Sequence, residues 1–270
     1  MPELPEVETI KKALEQNLLD QTLSAVEVLN PKLRFKVPTK ELKALVDHKI
    51  ISIRRRSKYL LLDFSNALTL IIHLGMTGRL LLDGKSYKHD HVILTFKSGQ
   101  RLTYNDVRKF GLIDICQSGD LDNHKLIKNL GIEPLESKFT KANLKEIFSN
   151  KSKSIKLAIM DANLVVGVGN IYASESLFES KISPLRQASS LKEFEIENLR
   201  KAIIKTLKAA LKAGGSTLKD FKHLSGDSGY FQHSFLVYDR EGQACKNCKK
   251  AIIRIKQQGR STFYCTNCQK

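Results

Sequence analysis

Apolar side chains near the start of the chain recur with the period of a helix. They stand three or four residues apart, at Val7, Ile10, Ala13, Leu14 and Leu18. Such spacing places these side chains on one face of an amphipathic helix. The pattern predicts a leading helix over residues 7–18, with one side packed on a core.

The pattern changes after residue 22, where apolar residues form short runs separated by polar turns. The runs are predicted strands at residues 23–29, 50–54, 59–64, 68–73, 79–82, 92–96, 102–104 and 111–115. Residues 97–100, Lys-Ser-Gly-Gln, have the composition of a hairpin turn. Many short strands at this spacing indicate a β-sandwich or a flattened barrel.

A helical period returns beyond Pro134. It predicts helices at residues 141–149, 153–161, 171–180 and 191–213, and a glycine pair directly follows the longest one. Residues 164–175 resemble a helix–two-turn–helix element, in which the backbone N–H groups at a helix start can bind phosphate. The Gly-x-Gly in this segment is weak by itself, since the third glycine and the preceding strand of a dinucleotide site are missing.

Four cysteines near the end of the sequence have the spacing of a metal site. Cys245 and Cys248 form one Cys-x-x-Cys pair, Cys265 and Cys268 form another, and sixteen residues separate the pairs. Two such turns can supply four thiolates to one tetrahedral zinc ion. The residues between them read as strand, turn and strand, so one structural zinc ion would clamp a β-hairpin that carries Arg260. The alternative is two disulfides or a redox pair, which the absence of a recognisable secretory signal disfavours.

These patterns together predict an α+β, multi-domain protein. It would consist of an N-terminal β-sandwich with a leading helix, a helical helix–two-turn–helix domain and a C-terminal zinc β-hairpin. We place the domains at residues 1–133, 134–224 and 236–270. With 270 residues, 41% of them hydrophobic, the chain is long enough for two such cores.

The charge of the chain narrows the class of partner. The formal net charge is +17, and residues 236–270 alone carry eight Lys or Arg against two Asp or Glu. A basic protein of this size most often binds nucleic acid, although non-specific adhesion or a ribosomal location remains an alternative.

Composition also bears on location. No apolar run reaches the roughly 18 residues of a membrane span, and the first residues are acidic rather than basic and apolar. We therefore expect a cytoplasmic protein with no membrane association. The fifth cysteine, Cys116, lies in an apolar run and is predicted to be a core residue.

The first residues offer a candidate nucleophile. Removal of Met1 would leave Pro2 as an N-terminal secondary amine, which can attack an electrophilic carbon and form an iminium. Glu3 stands beside it and could transfer protons. Proline and glutamate are also ordinary residues at a helix start, and the sequence alone favours that interpretation.

Three further segments carry residues suited to DNA. Lys58 follows three arginines at a strand entrance, where cations can bind a phosphate backbone, although a lone lysine is more often solvated. Met76 stands on a turn between two glycines, where it is either a core plug or an apolar wedge. Arg108 and Phe110 share a loop that suits intercalation with phosphate contact, unless Phe110 folds inward.

Taken together, the motifs resemble the formamidopyrimidine-DNA glycosylase family over nearly the whole chain. The segments stand in the order and spacing of that family: MPELPEVET, RRRSKYLLL, HLGMTGR, KHDHV, residues 108–111, GVGNIYASE, GDSGYF and the two Cys-x-x-Cys pairs with QGRSTFYCTNCQK. The resemblance implies a base-excision repair enzyme that is both a glycosylase and an AP lyase. Its partner would be double-stranded DNA that contains oxidised purines, chiefly 8-oxoguanine and formamidopyrimidines. It implies a monomer that associates with the nucleoid of a bacterial-type cytoplasm.

The resemblance also implies roles for four catalytic residues. Pro2 would attack C1′ to give a Schiff base, and Glu3 would donate a proton as the sugar opens. Lys58 would act as the general acid and base of β-elimination. Arg260 would hold phosphate and assist δ-elimination.

Other positions match residues that contact DNA in the family. Met76, Arg108 and Phe110 match the residues that fill the void left by the extruded base, and Arg108 would face the orphaned cytosine. The matching DNA-contacting positions are His89, Arg108, Lys151 and Asn170. Residues 226–231 match the loop that closes over the extruded purine.

The chain departs from the family pattern at two positions of one loop. Val107 stands where proline is usual, which would loosen the loop, and Lys109 stands where arginine is frequent, which keeps the charge but loses the planar fork.

Two rival functions remain at this point. Endonuclease VIII, which favours oxidised pyrimidines, usually has glycine where Leu4 stands and lacks the Arg-x-Phe filler. A non-enzymatic zinc-finger DNA-binding module would explain the charge and the cysteines but gives no reason for a processed Pro2 beside Glu3.

Overall fold

The computed structural model describes residues 2–82, 84–216 and 230–270. Within these residues the chain forms two compact units. The first unit contains the described residues up to Lys128 together with residues 214–216. The second contains residues 129–213 and 230–270.

The first unit is a leading helix with two antiparallel sheets. One sheet has the strand order β1-β6-β7-β5, and the other has the order β2-β3-β4-β8. The elements are α1 (Leu4–Leu18), β1 (Leu23–Val28), α2 (Thr39–Lys43), β2 (Ile50–Arg56), β3 (Tyr59–Phe64), β4 (Leu68–His73), β5 (Arg79–Leu81), β6 (Asp90–Phe96), β7 (Arg101–Asn105) and β8 (Leu112–Gln117). Both sheets and α1 contribute side chains to one core. The apolar residues of the strands, in alternating or continuous runs, face this core.

Helix α1 begins three residues earlier than the periodicity predicts. It starts at Leu4 with a proline in its first turn, where the missing N–H of proline costs no hydrogen bond. Its buried face is the predicted one and includes Val7, Ile10 and Leu14. Helix α2 was not predicted, because Leu42 is its only buried residue and leaves no period to detect.

The second unit is helical, with one hairpin. Its elements are α3 (Lys141–Ser149), α4 (Ile155–Ile159), α5 (Asn170–Glu179), α6 (Glu193–Lys212), β9 (Ile253–Gln257) and β10 (Arg260–Tyr264). Helix α4 is shorter than predicted, because Ile155 N–H donates to the carbonyl of Arg186 and the chain turns again at Asp161. Buried Phe178 of α5 packs in one cluster with Ile252 and Phe263 of the hairpin region.

The hairpin turn is tight. Arg260 pairs with Gln257, so only Gln258 and Gly259 connect the strands, and both have positive φ angles of 43° and 77°. Positive φ at both central residues matches the twist of two-residue hairpins. Arg260 therefore stands at the tip of a short, defined projection.

The α+β fold class is confirmed, with the β-sandwich, the helical part and the hairpin in the predicted order. The domain boundaries near residues 133, 224 and 236 stay predictions, and residue 224 lies outside the described part of the chain. Among the described residues, no helix has both the length and the apolar character needed to cross a membrane.

Candidate functional site

Pro2 and Glu3 form a buried segment directly before α1. Glu3 and Glu6 make a reciprocal capping box, in which the Glu3 N–H donates to Glu6 Oε2 at 2.8 Å. This arrangement satisfies N–H groups that a helix start leaves without partners. It fixes the direction of the backbone on which the candidate amine and the candidate proton donor stand.

Glu6 connects this segment to a distant part of the first unit. Its second carboxylate oxygen, Oε1, accepts from the Ser216 N–H at 2.8 Å and from the Ser216 hydroxyl at 3.1 Å. The Glu6 residue is only 2% exposed, so these bonds are protected from water. Sequence reasoning missed this role, although a glutamate at the third helical position is a capping-box signal.

Lys58 lies in the turn between β2 and β3, half-buried and next to Ser57, which has a φ of 56°. Arg55 supports this turn from one side by donating from Nη1 to the Ser57 carbonyl at 2.8 Å. Its Nε donates to Glu8 Oε2, also at 2.8 Å. The Arg55–Glu8 pair therefore ties the Lys58 turn to α1, the helix that begins beside Pro2 and Glu3.

His73, at the end of β4, is held neutral. Burial, followed by the positive charges of Lys58 and Arg34, lowers the pKa of His73 to about 4. Its Nδ1 accepts from the Gly75 N–H at 3.0 Å. The sequence showed this histidine only as part of a motif, whereas the structure makes it the anchor for the loop that follows.

Two loops carry the predicted void-filling residues. The Met76 loop (residues 74–78) connects β4 to β5, and the Arg108 loop (residues 106–111) connects β7 to β8. Met76 is 40% exposed and Phe110 is 46% exposed, so neither is a core plug. The Arg108 guanidinium carbon lies 4.6 Å from the centre of the Phe110 ring. Exposed apolar tips beside a cation are what insertion into a base stack requires.

The two loops touch through their backbones. Gly75 has a φ of 60°, and a Cβ atom there would lie 2.5 Å from the Gly111 nitrogen and from the Phe110 carbonyl carbon. No side chain can occupy that space, so only glycine permits the contact. Half-buried His89 adjoins the same region, because its carbonyl accepts from the Asp106 N–H at 3.0 Å.

In the second unit a buried lysine links α5 to the hairpin. Lys156 is 1% exposed, and its Nζ donates to Asn170 Oδ1 at 2.6 Å, to the Ser261 carbonyl at 3.1 Å and to Thr262 Oγ1 at 2.7 Å. Asn170 Nδ2 also donates to the Ser261 carbonyl, at 2.9 Å. Asn170, the first residue of α5, is thus bound to the strand that begins with exposed Arg260.

Lys151 lies elsewhere in the second unit, just after α3. It is half-buried, its N–H donates to the Phe148 carbonyl, and its carbonyl accepts from the Ser189 N–H. Its backbone is therefore fixed. Of the predicted loop at residues 226–231, residues 226–229 lie outside the described residues, while Phe231 packs against Tyr172 with ring centres 5.6 Å apart.

The four predicted metal-binding cysteines come together in one cluster. All four sulfur atoms lie within 4.8 Å of one another, with Sγ–Sγ distances of 3.9 Å for Cys245–Cys268 and 3.4 Å for Cys248–Cys265. A tetrahedral ion with metal–sulfur bonds of about 2.3 Å requires sulfur separations of about 3.8 Å. The cluster therefore has the size and the donors to hold one metal ion.

The thiols of this cluster differ in acidity. Burial and the neighbouring thiols raise the pKa of Cys268 to about 12, whereas the Lys250 N–H lowers the pKa of Cys248 to about 6. Crowded thiols resist joint ionisation, and a bound cation offsets that repulsion. Cys116 lies apart, half-buried, and burial raises its pKa above the usual range.

Family models cover most of the chain. Residues 1–113 match the formamidopyrimidine-DNA glycosylase N-terminal domain, and residues 130–222 match the formamidopyrimidine-DNA glycosylase H2TH domain. Residues 242–270 match a zinc finger found in FPG and IleRS.

Similar proteins cover the chain from end to end. A formamidopyrimidine-DNA glycosylase of Rickettsia conorii is 46% identical, over 100% of this chain and 99% of its own length. One of Dinoroseobacter shibae is 42% identical, over 100% of both chains.

Solved structures of the same kind superpose closely. The MutM (Fpg) protein of Thermus thermophilus has a TM-score of 0.91 and 36% identity, over 99% of this chain and 98% of its own. A Lactococcus lactis Fpg variant in complex with DNA that contains Fapy-dG has a TM-score of 0.93 and 35% identity, over 100% of both chains. Lactococcus lactis Fpg with DNA that contains an abasic site has a TM-score of 0.91 and 35% identity, over 99% of both chains.

Proposed function

Because this chain belongs to the formamidopyrimidine-DNA glycosylase family, a family of base-excision repair DNA glycosylases, we propose that it removes oxidised purines from duplex DNA and then cuts the strand. The proposed substrates are 8-oxoguanine and formamidopyrimidines. The damaged nucleotide would leave the base stack before the reaction, since its C1′ atom is not accessible inside the duplex.

Pro2 is the proposed nucleophile. Its amine attacks C1′, the bond from C1′ to the base breaks, and the proton that the amine releases leaves with the base. The nitrogen lone pair then opens the sugar and gives an iminium between Pro2 and C1′, while O4′ takes a proton from Glu3. The observation that supports this proposal is the buried capping box of Glu3 and Glu6, which fixes the Glu3 backbone and side chain directly after Pro2.

Strand cleavage follows from the iminium. It acidifies the C2′ protons, so that removal of one proton expels the 3′ phosphate, and a second elimination expels the 5′ phosphate. We assign the proton transfers of the first elimination to Lys58, whose turn is tied to α1 through Arg55 and Glu8. We assign phosphate binding in the second elimination to Arg260, which is exposed at the hairpin tip.

The remaining site residues are assigned to DNA. Met76, Arg108 and Phe110 would fill the void left by the extruded nucleotide, with Arg108 facing the opposite cytosine. His89, Arg108, Lys151 and Asn170 would contact DNA. The exposure of Met76 and Phe110 and the position of Asn170 at a helix start support these assignments.

We assign one structural zinc ion to Cys245, Cys248, Cys265 and Cys268. When bound, zinc supplies tetrahedral coordination and no reactive group. The cysteines would clamp the base of the hairpin and so hold Arg260 and Ser261 in place. We further propose that the protein acts as a monomer on DNA in the cytoplasm.

Borohydride trapping tests the proposed chemistry. The protein, with Met1 removed, is incubated with a duplex that holds one 8-oxoguanine opposite cytosine, and borohydride is added to reduce the iminium. We expect a covalent adduct that peptide mapping places on Pro2, and a large loss of adduct in Glu3→Gln.

Three outcomes would redirect the proposal. DNA binding without adduct or cleavage would indicate a binding module. Faster processing of a matched duplex with an oxidised pyrimidine would indicate an enzyme of the endonuclease VIII type. An adduct on a lysine would show that this lysine, and not Pro2, is the nucleophile.

A further inference from the structure

One buried carboxylate contacts both candidate void-filling loops. Asp106 is 0% exposed. Its Oδ1 accepts from the Thr77 hydroxyl at 2.5 Å and from the Arg108 N–H at 3.2 Å, and its Oδ2 accepts from the Gly111 N–H at 2.9 Å. Thr77 adjoins Met76 in sequence, and Gly111 adjoins Phe110. Each residue proposed to enter the DNA therefore either bonds Asp106 or neighbours a residue that does.

The donors around Asp106 require a carboxylate. Both oxygens act as acceptors, and the donors are a hydroxyl and two backbone N–H groups that no strand partner satisfies. Several hydrogen bonds of this kind stabilise a buried negative charge. Asparagine has the same shape but offers one oxygen and one NH₂ group, so it would set an N–H against a donor.

The conformation of the Arg108 loop needs such a restraint. Lys109 has a φ of 57°, in the left-handed region that a non-glycine residue adopts at a cost. Val107 is 48% exposed and, unlike proline, does not fix its own φ angle. The loop therefore depends on hydrogen bonds and backbone contacts that hold this conformation. Asp106 and the backbone contact at Gly75 supply them.

We propose that Asp106 is a positioning residue that holds Met76, Arg108 and Phe110 as one wedge and so sets the preference for the base opposite the lesion. The proposal rests on the proposed function, because it assigns these three side chains to the void in the DNA. Asp106 itself does not touch the reacting atoms. Its loss would displace the Arg108 backbone and with it the guanidinium that faces the opposite base.

The test compares Asp106→Asn with the wild-type protein. Single-turnover excision of 8-oxoguanine is measured opposite cytosine and opposite adenine, and the ratio of the two rates is the readout. Borohydride trapping on a single-stranded abasic oligonucleotide is measured in parallel, because that substrate has no opposite base and no void. We expect the ratio to fall by about tenfold, as the loss of a hydrogen bond to a charged group would give, with the trapping rate unchanged.

Two further variants control for folding. Asp63→Asn alters another buried carboxylate of the same unit, one bonded to Arg54 and Thr69, and it should leave the ratio unchanged. Thr77→Val keeps the shape of the side chain but removes the hydroxyl, which donates to Asp106 and accepts from the Arg108 N–H at 3.2 Å. It should also lower the ratio, by a smaller factor. If Asp106→Asn does not fold, this variant alone tests whether the Asp106 contact sets the ratio.

Specific results would overturn the proposal. An unchanged ratio in folded Asp106→Asn, or in Thr77→Val when Asp106→Asn does not fold, would show that the carboxylate does not set the wedge. Equal losses on the duplex and on the single-stranded oligonucleotide would show a general effect on the reaction centre. If the wild-type protein neither excised 8-oxoguanine nor formed a trapped adduct, the proposed function itself would be wrong. The wild-type measurements show this before any variant is compared.

Discussion

Two buried charges of opposite sign organise the candidate functional loops, one in each unit. Asp106 accepts from donors in the Met76 and Arg108 loops, whereas Lys156 donates to oxygen atoms of Asn170 and the hairpin. The sign follows from the backbone groups that each side chain binds: N–H groups in the Arg108 loop, and the Ser261 carbonyl in the hairpin. The comparison teaches that the backbone groups a loop turns towards a buried side chain determine which charge can hold that loop.

The two clusters also differ in the sequence distance that they span. Asp106 lies two to five residues from its backbone donors, while Lys156 lies 105 and 106 residues from Ser261 and Thr262. The two backbone N–H groups that Asp106 binds in the Arg108 loop are therefore restrained from within the same loop. The hairpin tip depends on a second part of the chain, and we expect it to be more sensitive to changes made elsewhere.

Removal of the metal ion should produce the largest difference between the two units. A strong chelator should abolish strand cleavage, because the four cysteines clamp the hairpin that carries Arg260. Hydrogen exchange should become fast in β9 and β10 and stay slow in β3 and β4 of the first unit. Full cleavage by a demonstrably metal-free sample would contradict the structural role of the ion.

Acidification should act on the first unit through His73. Its pKa in the folded protein is lowered to about 4, mainly by burial, so the unfolded chain binds the proton first. The contribution of His73 is fully present above the unfolded pKa of about 6.5 and is lost as the pH falls towards 4, by about 3 kcal/mol at most.

His73→Asn provides the matched variant for this effect. The asparagine oxygen can replace Nδ1 as the acceptor for the Gly75 N–H but does not titrate. Denaturant unfolding at several pH values should give a flatter profile between pH 6.5 and 4 than the wild type. Parallel profiles for the two proteins would show that His73 does not cause the acid sensitivity.

The lysine cluster can be tested by Lys156→Met. Ser261 and Thr262 keep other partners, but the Asn170 oxygen loses its hydrogen bond from Nζ. A buried acceptor left in this way costs about 1–3 kcal/mol. We expect a loss of that size in the unfolding free energy of the second unit, together with weaker binding to abasic duplex DNA.

Lys153→Met is the control for that variant. Lys153 pairs with Asp161 near the surface, where both side chains remain partly exposed. Its replacement should cost less than about 1 kcal/mol. Equal losses in the two variants would mean that burial does not distinguish Lys156 from an ordinary surface lysine.

The smallest expected effect concerns a partly exposed ion pair of α6. The hydrogen bond from Arg200 is the main cause that lowers the pKa of Glu197 to about 2. Its contribution is present above the unfolded pKa of about 4.5 and is lost as the pH falls towards 2, and solvent screening keeps it below about 1 kcal/mol. Glu197→Gln should remove that small slope from hydrogen exchange in α6, with no change in the Asp106 or Lys156 clusters.

Local patterns predicted much of the fold. Side chains that face a core recur at regular intervals, and this spacing is visible in the sequence. It gave the helical period of Val7, Ile10 and Leu14 and the short runs of the strands. The four cysteines were found because metal ligands of this kind come in short, regular spacings. Helix α2 was missed because its one buried leucine carries no period.

Long-range contacts set the limit of prediction at the site. The bonds of Lys156 to the hairpin and of Glu6 to Ser216 join residues that no local pattern relates. The resemblance identified the residues proposed to act on DNA. It did not identify Asp106, which holds those residues in place without being one of them.

The backbone contact at Gly75 restricts how the protein can be diversified in a laboratory library. Random changes at positions 75 and 111 should be removed by selection, because any side chain at either position collides with backbone or with the Tyr104 hydroxyl. A search for altered opposite-base preference should hold both glycines constant and vary positions 76, 107 and 109 together. The two loops, although 31 residues apart in sequence at Thr77 and Arg108, would then be treated as one segment in the library.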